Sequence, residues 1–194
     1  AYQRIGRIAE ADAMLTEAEA VAGELDEDRA EDILSWRFER AQAMLLMPGR
    51  HAEAGEMFRV VARDAVESLG PTHPVSLQAR LLATQYTDDD DARDAEIDAL
   101  ERVTRDDPEI GKQLRLHVRR FHGSRLARAG DQAGAVEAFG EAAAIARERL
   151  GPMHSETLKL EFRLAEALVN TGRAEEGDGL LRSVLERAQE VYAE

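Results

Sequence analysis

Chemistry needs titratable or nucleophilic side chains at workable spacings, and this sequence offers few. Its five histidines are His51, His73, His117, His122 and His154. No two stand three or four residues apart, the spacing that places two imidazoles on one helix face for a metal, and no HExxH occurs. His73 and His154 fall at the same place in two related phrases, where bonding to the local loop is the expected role. The acidic run TDDDDARD (87–94) lacks the alternating ligands and closing bidentate Glu of an EF-hand loop. Helix capping and solvation are its expected roles, and DDPE from Asp106 reads the same way. Cysteine is absent, so there is no disulfide framework and no thiol nucleophile. Glycine patterns of phosphate- or dinucleotide-binding loops are absent too. The expectation is a chain that is not an enzyme, with no cofactor, no metal and no catalytic residue.

What recurs instead is arginine. Arg40, Arg80, Arg120 and Arg163 follow one another at intervals of 40, 40 and 43 residues. A guanidinium binds a carboxylate through a planar fork of N–H donors, so a row of them on one surface would favour an extended acidic peptide or a free C-terminus. Glu39 and Glu166 lie where they could neutralise such a row. The net charge is −14 at pH 7, which argues against direct nucleic-acid binding by this segment and against anionic membranes. No apolar run approaches the roughly 20 residues of a membrane span, and no signal-peptide pattern precedes the first helix, so a cytoplasmic location is expected. Of 25 basic residues only Lys112 and Lys159 are lysines, a skew associated with GC-rich bacterial genomes.

The elements that position these side chains are helices. Aromatic residues make up only 5% of the chain, and Ala, Leu, Glu and Arg, which favour helix over strand, recur throughout. Five segments share one pattern: GRIAEADAML (6–15), GRHAEAGEMF (49–58), DARDAEIDAL (91–100), GDQAGAVEAF (130–139) and GRAEEGDGLL (172–181). They begin at intervals of 43, 42, 39 and 42. Five places into each comes a small residue, Ala11, Ala54, Ala135 or Gly177, with Glu96 as the exception; nine places in comes Leu15, Phe58, Leu100, Phe139 or Leu181. An offset of four puts the small and the large residue on one helix face, where the first admits a neighbouring helix and the second plugs beside it. Another helix precedes each turn, as in WRFERAQAMLLMPG from Trp36 and LHVRRFHGSRLARAG from Leu116. Gly123 and Ala165 each lie seven residues before a turn glycine and should allow close helix approach. Gly55, Gly140, Gly177 and Gly179 carry the same expectation, and Trp36 and MLLM (44–47) are expected in the core. LGPTHPVSL (69–77) and LGPMHSETL (150–158) read as joints between repeats. In them Leu ends a helix, Gly caps it, Pro stops it, and the Ser or Thr before the second Leu starts the next.

A helix, a GR or GD turn and then xxEAxxxF resembles the tetratricopeptide repeat (TPR). The period near 42 and the LGPxHPxxL phrase are similar to the long variant of kinesin light chains and many bacterial regulators. HEAT-type repeats have a comparable period, but the turn glycine and the small-then-large pair favour the tetratricopeptide reading. The resemblance implies an all-α, right-handed superhelical solenoid of antiparallel helix hairpins forming a single domain over 1–194. Its repeat units would be 1–25, 26–69, 70–105, 106–150 and 151–194. The first is truncated, with only five residues before Gly6, so the chain is expected to be a fragment of a longer polypeptide; self-association through that repeat is open.

In this family the first helices line the concave surface, and family members bind peptides there. Carried onto this chain, the groove residues would be Arg40, Arg80, His117, Arg120, Arg128, Lys159 and Arg163, with Ser124 and Asn170 adding bonds to a peptide backbone. The implied function is a non-enzymatic scaffold for a protein or peptide partner. The alternative is a ligand- or peptide-sensing regulatory domain of a bacterial transcriptional regulator, signalling ATPase or serine/threonine kinase.

Overall fold

Residues that lose little side-chain freedom on entering a helix dominate this chain, and its computed structural model is built from helices. The structure describes residues 10, 12–18, 20, 29–106 and 111–192. After a helical stretch at 12–18 come α1 (Ala30–Leu45), α2 (His51–Leu69), α3 (Pro74–Ala83) with a 3-10 turn at Thr84–Tyr86, and α4 (Asp90–Asp106). Then follow α5 (Lys112–Arg128), α6 (Gln132–Leu150), α7 (Ser155–Asn170) and α8 (Ala174–Tyr192). No strand occurs among the described residues. The pairs α1/α2, α5/α6 and α7/α8 pack as the hairpins of expected copies two, four and five, and α3 and α4 stand in the chain where the third is expected. The start of the first copy, Ala11, and residues 25–28 and 107–110 lie outside the described residues. The chain divides into two compact units, 1–96 and 97–194, with the division falling within the residues of α4.

Glycine sets the turns. Gly49, Gly130 and Gly172, between first and second helices, have φ of 83°, 86° and 83°, a region closed to most side chains. The joints use a second conformation: Gly70 has φ 94° and ψ 160°, and Gly151 has φ 89° and ψ 163°, a backbone essentially reserved for glycine. The helix starts after them differ from expectation. His73 and His154 are the N-caps, their Nδ1 atoms accepting from the backbone N–H of Val75 at 3.3 Å and of Glu156 at 3.2 Å. Ser76 and Thr157 instead lie inside their helices; Thr157 Oγ1 donates back to the carbonyl of Gly151 at 2.9 Å. The histidine ring reaches the helix-start donors that Ser and Thr usually satisfy.

Unit 1 has a core built from Leu34, Phe38 and Met44 of α1, Ala54, Phe58 and Val61 of α2, and Ala79 and Ala83 of α3. Phe38 meets Phe58 edge-on at 5.6 Å, and Tyr86 stacks on Phe58 at 6.1 Å. Gly55 admits that tyrosine, because a Cβ there would lie 2.6 Å from its ring. Trp36 is half-buried rather than a core residue, and of MLLM only Met44 is fully enclosed while Leu46 is 59% exposed. The helix ends at Leu45, so the core-facing phase is lost before the phrase finishes.

In unit 2 the core joins Leu116 of α5, Ala135, Phe139, Ala142 and Ala146 of α6, and Leu160 and Ala167 of α7. Close approach is real at Gly123, where a Cβ would sit 3.0 Å from the Phe139 ring, and at Gly177, where it would sit 2.9 Å from the carbonyl oxygen of Ala165. It is not the reason for Gly140, whose Cβ would have only Leu164 in ordinary contact, or for Gly179, which faces open space. The Glu96 exception has a partner: Arg80 of the facing helix donates to its carboxylate at 2.5 Å.

Candidate peptide-binding cleft

Sequence spacing brings four candidate residues into one place. Ser124, Arg128, Arg163 and Asn170 line a cleft of about 400 Å³ within unit 2, together with Ala127, Gln132, Phe139, Glu166 and Ala167. The walls are α5 and α7, the first helices of neighbouring hairpins, and the floor is α6. Ala127 and Ala167 keep the walls short, while Phe139, 3% exposed, seals the floor because Gly123 leaves room for its ring. Polar groups ring the opening. Arg163 Nη1 lies 3.0 Å from Glu166 Oε2, and Ser124 Oγ donates to the carbonyl of Arg120 at 3.0 Å, which leaves its lone pairs as acceptors. Gln132 Nε2 donates to the carbonyl of Ala127 at 3.0 Å. Arg128 and Asn170 end their helices, and both are exposed.

The other candidates are dispersed. His117 and Arg120 lie further toward the start of α5. Arg120 Nη1 is 3.3 Å from Glu156 Oε1, and its guanidinium carbon is 4.7 Å from the Phe121 ring centroid. His117 Nε2 contacts Gln113 Nε2 at 2.8 Å, and Lys159 is exposed on α7. In unit 1, Arg40 donates to Asp12 at 2.9 Å. Arg80 is turned into its own hairpin, bonding Glu96 and, at 3.0 Å, the carbonyl of Pro71. Equal spacing is not equal phase. Arg40 and Arg163 stand nine residues before their turn glycines, Gly49 and Gly172, but Arg120 stands ten before Gly130. Arg80 stands eleven after the joint leucine Leu69, the register of Glu161 after Leu150. Each residue of slip turns a side chain by about 100° around the helix.

A different electrostatic signal was present in the sequence. Helix α5 contains Lys112, Arg115, Arg119, Arg120, Arg125 and Arg128 and no Asp or Glu, in a chain of net charge −14. Its neighbours supply the carboxylates. Arg119, 7% exposed, lies 3.0 Å from Glu101 of α4 and 2.7 Å from Glu141 of α6. Arg125 lies 2.8 Å from Asp98 of α4, and Lys112 lies 2.5 Å from Glu148 of α6. Burial lowers the pKa of His117 on this helix, Arg120 and Arg149 push the same way, and Glu156 opposes them. A second buried carboxylate, Glu161 of α7, is 3% exposed and bridges Arg147 of α6 and Arg187 of α8. Arg187 also donates to the carbonyl of Pro152 at 2.8 Å, so both joint prolines have their carbonyls held by an arginine, each from a different helix.

Among the described residues no group of three or more His, Asp or Glu side chains is arranged to hold a metal, and no helix there is long and apolar enough to cross a membrane. The cleft therefore presents ionic and hydrogen-bonding groups around a small apolar floor, a composition suited to binding.

No family model and no curated protein matches the sequence. Solved structures do. The chain is similar to nearly identical TPR-like repeats of a Podosopora anserina protein described as a kinesin light chain, with a TM-score of 0.65 at 20% identity over 100% of this chain and 92% of that one. A single-substitution variant of that protein gives a TM-score of 0.67 at 21% identity, again over 100% and 92%. The likeness is one of fold: the chain is an all-α, TPR-like repeat protein.

Proposed function

We propose that the chain is a non-enzymatic module for binding a protein or peptide partner and that the cleft between α5 and α7 is its recognition site. The observation that carries this reading is the convergence of Ser124, Arg128, Arg163 and Asn170 on one cleft of about 400 Å³ with an apolar floor. TPR-like repeats typically serve as protein-interaction scaffolds, which supports it. In this reading Arg128 and Arg163 orient a carboxylate of the partner, Ser124 and Asn170 bond its backbone, and a short side chain enters toward Phe139. Arg163 is available because its Glu166 pair is exposed, with 62% and 43% of the two side chains open to solvent. Such a pair holds by about 0–1 kcal/mol and yields to an incoming carboxylate. Used as a sensing arm of a larger regulator, the same cleft would serve.

A displayed library of random peptides tests this without a known partner. The wild-type chain is expected to enrich sequences containing Asp or Glu, and the Arg128→Glu, Arg163→Glu double variant to lose that enrichment at unchanged helicity and melting temperature. Enrichment without acidic residues, or the same acidic set with the double variant, would refute carboxylate selection by this cleft.

A further inference from the structure

The side of α5 away from the cleft packs against the second half of α4, inside unit 2, and this seam is dense in charged groups. Asp98, Glu101 and Arg105 come from α4, Arg119, His122 and Arg125 from α5, and Glu141 of α6 closes on Arg119. Glu101 and Arg119 are 3% and 7% exposed. Four atoms in the seam are buried without a hydrogen-bond partner: Asp98 Oδ1, Glu101 Oε2, His122 Nδ1 and Arg125 Nε. Ion pairing there is close but poorly aligned, and each buried atom without a hydrogen bond is a source of instability.

His122 is the member whose charge can change near neutrality. Its Nε2 lies 3.3 Å from Arg125 Nη2 and 3.4 Å from Asp98 Oδ1. As a neutral ring it can accept from Arg125. As a cation it cannot, and the guanidinium of Arg125 beside it, with that of Arg119, opposes its charge. Asp98, already shared with Arg125, and Glu101, already shared with Arg105 and Arg119, are the anions facing it. We propose that the α4–α5 seam is an acid-responsive joint that loosens when His122 takes up a proton. Burial, with Arg125 and Arg119, holds the His122 pKa below its usual value against the pull of Glu101 and Asp98. The folded seam therefore binds the proton less well than the unfolded chain does, and protonation favours opening.

Hydrogen–deuterium exchange of the full chain at pH 7.5 and 5.5, corrected for the intrinsic rate, tests this. In the wild type, amides of 97–106 are expected to exchange faster at pH 5.5, by up to about ten-fold, the ceiling that an unfolded histidine pKa near 6.5 sets. His122→Gln, which cannot titrate, should abolish that response, and His117→Gln, on the other side of α5, should retain it. A flat wild-type profile, or an undiminished response in His122→Gln, overturns the proposal. Should the glutamine variant lose protection already at pH 7.5, the imidazole Cε1–H titration of His122 in the wild type decides. Its midpoint must coincide with that of the exchange change; a separate midpoint overturns the proposal.

Discussion

Two glycines of α8, two residues apart, isolate what close packing contributes. Replacing either with alanine supplies the same intrinsic helix gain, about 1 kcal/mol. At Gly179 the new methyl group meets nothing within 4 Å, so Gly179→Ala should keep most of that gain. At Gly177 it would lie 2.6 Å from Val169 Cγ2 and 2.9 Å from the carbonyl oxygen of Ala165. The valine is β-branched and stiff at χ1, and the carbonyl belongs to the backbone of α7, so relief requires the two helices to separate. Overpacking of this kind costs about 1–3 kcal/mol, more than the helix gain. The helix gain is common to both, so the two variants should differ by that packing cost, roughly 1–3 kcal/mol, with Gly179→Ala above wild type and Gly177→Ala at or below it. For a chain of this length that is a gap in Tm of roughly 2–12 °C. Thermal scans followed by circular dichroism at 222 nm, with urea titrations beside them, measure it. Equal shifts in the same direction would show that Gly177 is not a contact point and that the small-residue position of the repeat has no packing role.

Three further outcomes follow from the same geometry. Gly70→Ala should cost about 1–3 kcal/mol with no steric clash at all, because φ 94° with ψ 160° is itself the strain; an unchanged urea midpoint would mean that the joint re-forms in another conformation. Glu161→Gln should lower stability by roughly 2–4 kcal/mol, since Arg187 keeps its position with its carboxylate partner gone, and Glu161→Leu should recover part of the loss; a neutral Gln variant would refute the buried bridge. Acid should act in two stages. The His117 and His122 pKa values are lowered on folding, so the stability they carry is present above about pH 6.5 and is lost as the pH falls from there toward their folded values. Burial raises the Asp12 carboxyl, but the Arg50 and Arg40 hydrogen bonds outweigh it and lower it overall, and Arg50 lowers Glu53, so their share holds until below about pH 4. A Tm that is flat from pH 7.5 to 5 would contradict the first stage.

The hairpins were legible because their punctuation is chemical: glycine holds φ near 85° at the turns of Gly49, Gly130 and Gly172, and a small residue four places before a large one marks the packed face. The histidine caps were less so, since Ser and Thr stand nearby and are the usual helix starters, and only the ring's reach in space shows which side chain meets the first free N–H. The arginine row was visible as an interval, but an interval counts residues and not rotation. Arg80 occupies the register of Glu161, and the substitution makes sense only beside the acid at Glu96. The cleft was half legible: Ser124, Arg128, Arg163 and Asn170 could be named, with Glu166 as a counter-charge, whereas Gln132 and Phe139 join them through the crossing of three helices. The all-cationic composition of α5 was open to counting, and its meaning lies in carboxylates on α4, α6 and α7.

That helix has a consequence for how such an array can change over time. In a repeat protein whose contacts are apolar, one unit can be duplicated, deleted or shuffled and still find a compatible neighbour. Here α5 carries six basic groups and no acid, and it is matched by specific acids on the helices either side. A second copy of the α5/α6 hairpin inserted beside the first would set the cations of α5 against α6, whose Glu137, Glu141 and Glu148 are offset by Arg147 and Arg149, in place of the acids of α4. The units are thus addressed to one another, and their order along the chain is itself an inherited trait that single substitutions can tune but recombination cannot freely rewrite.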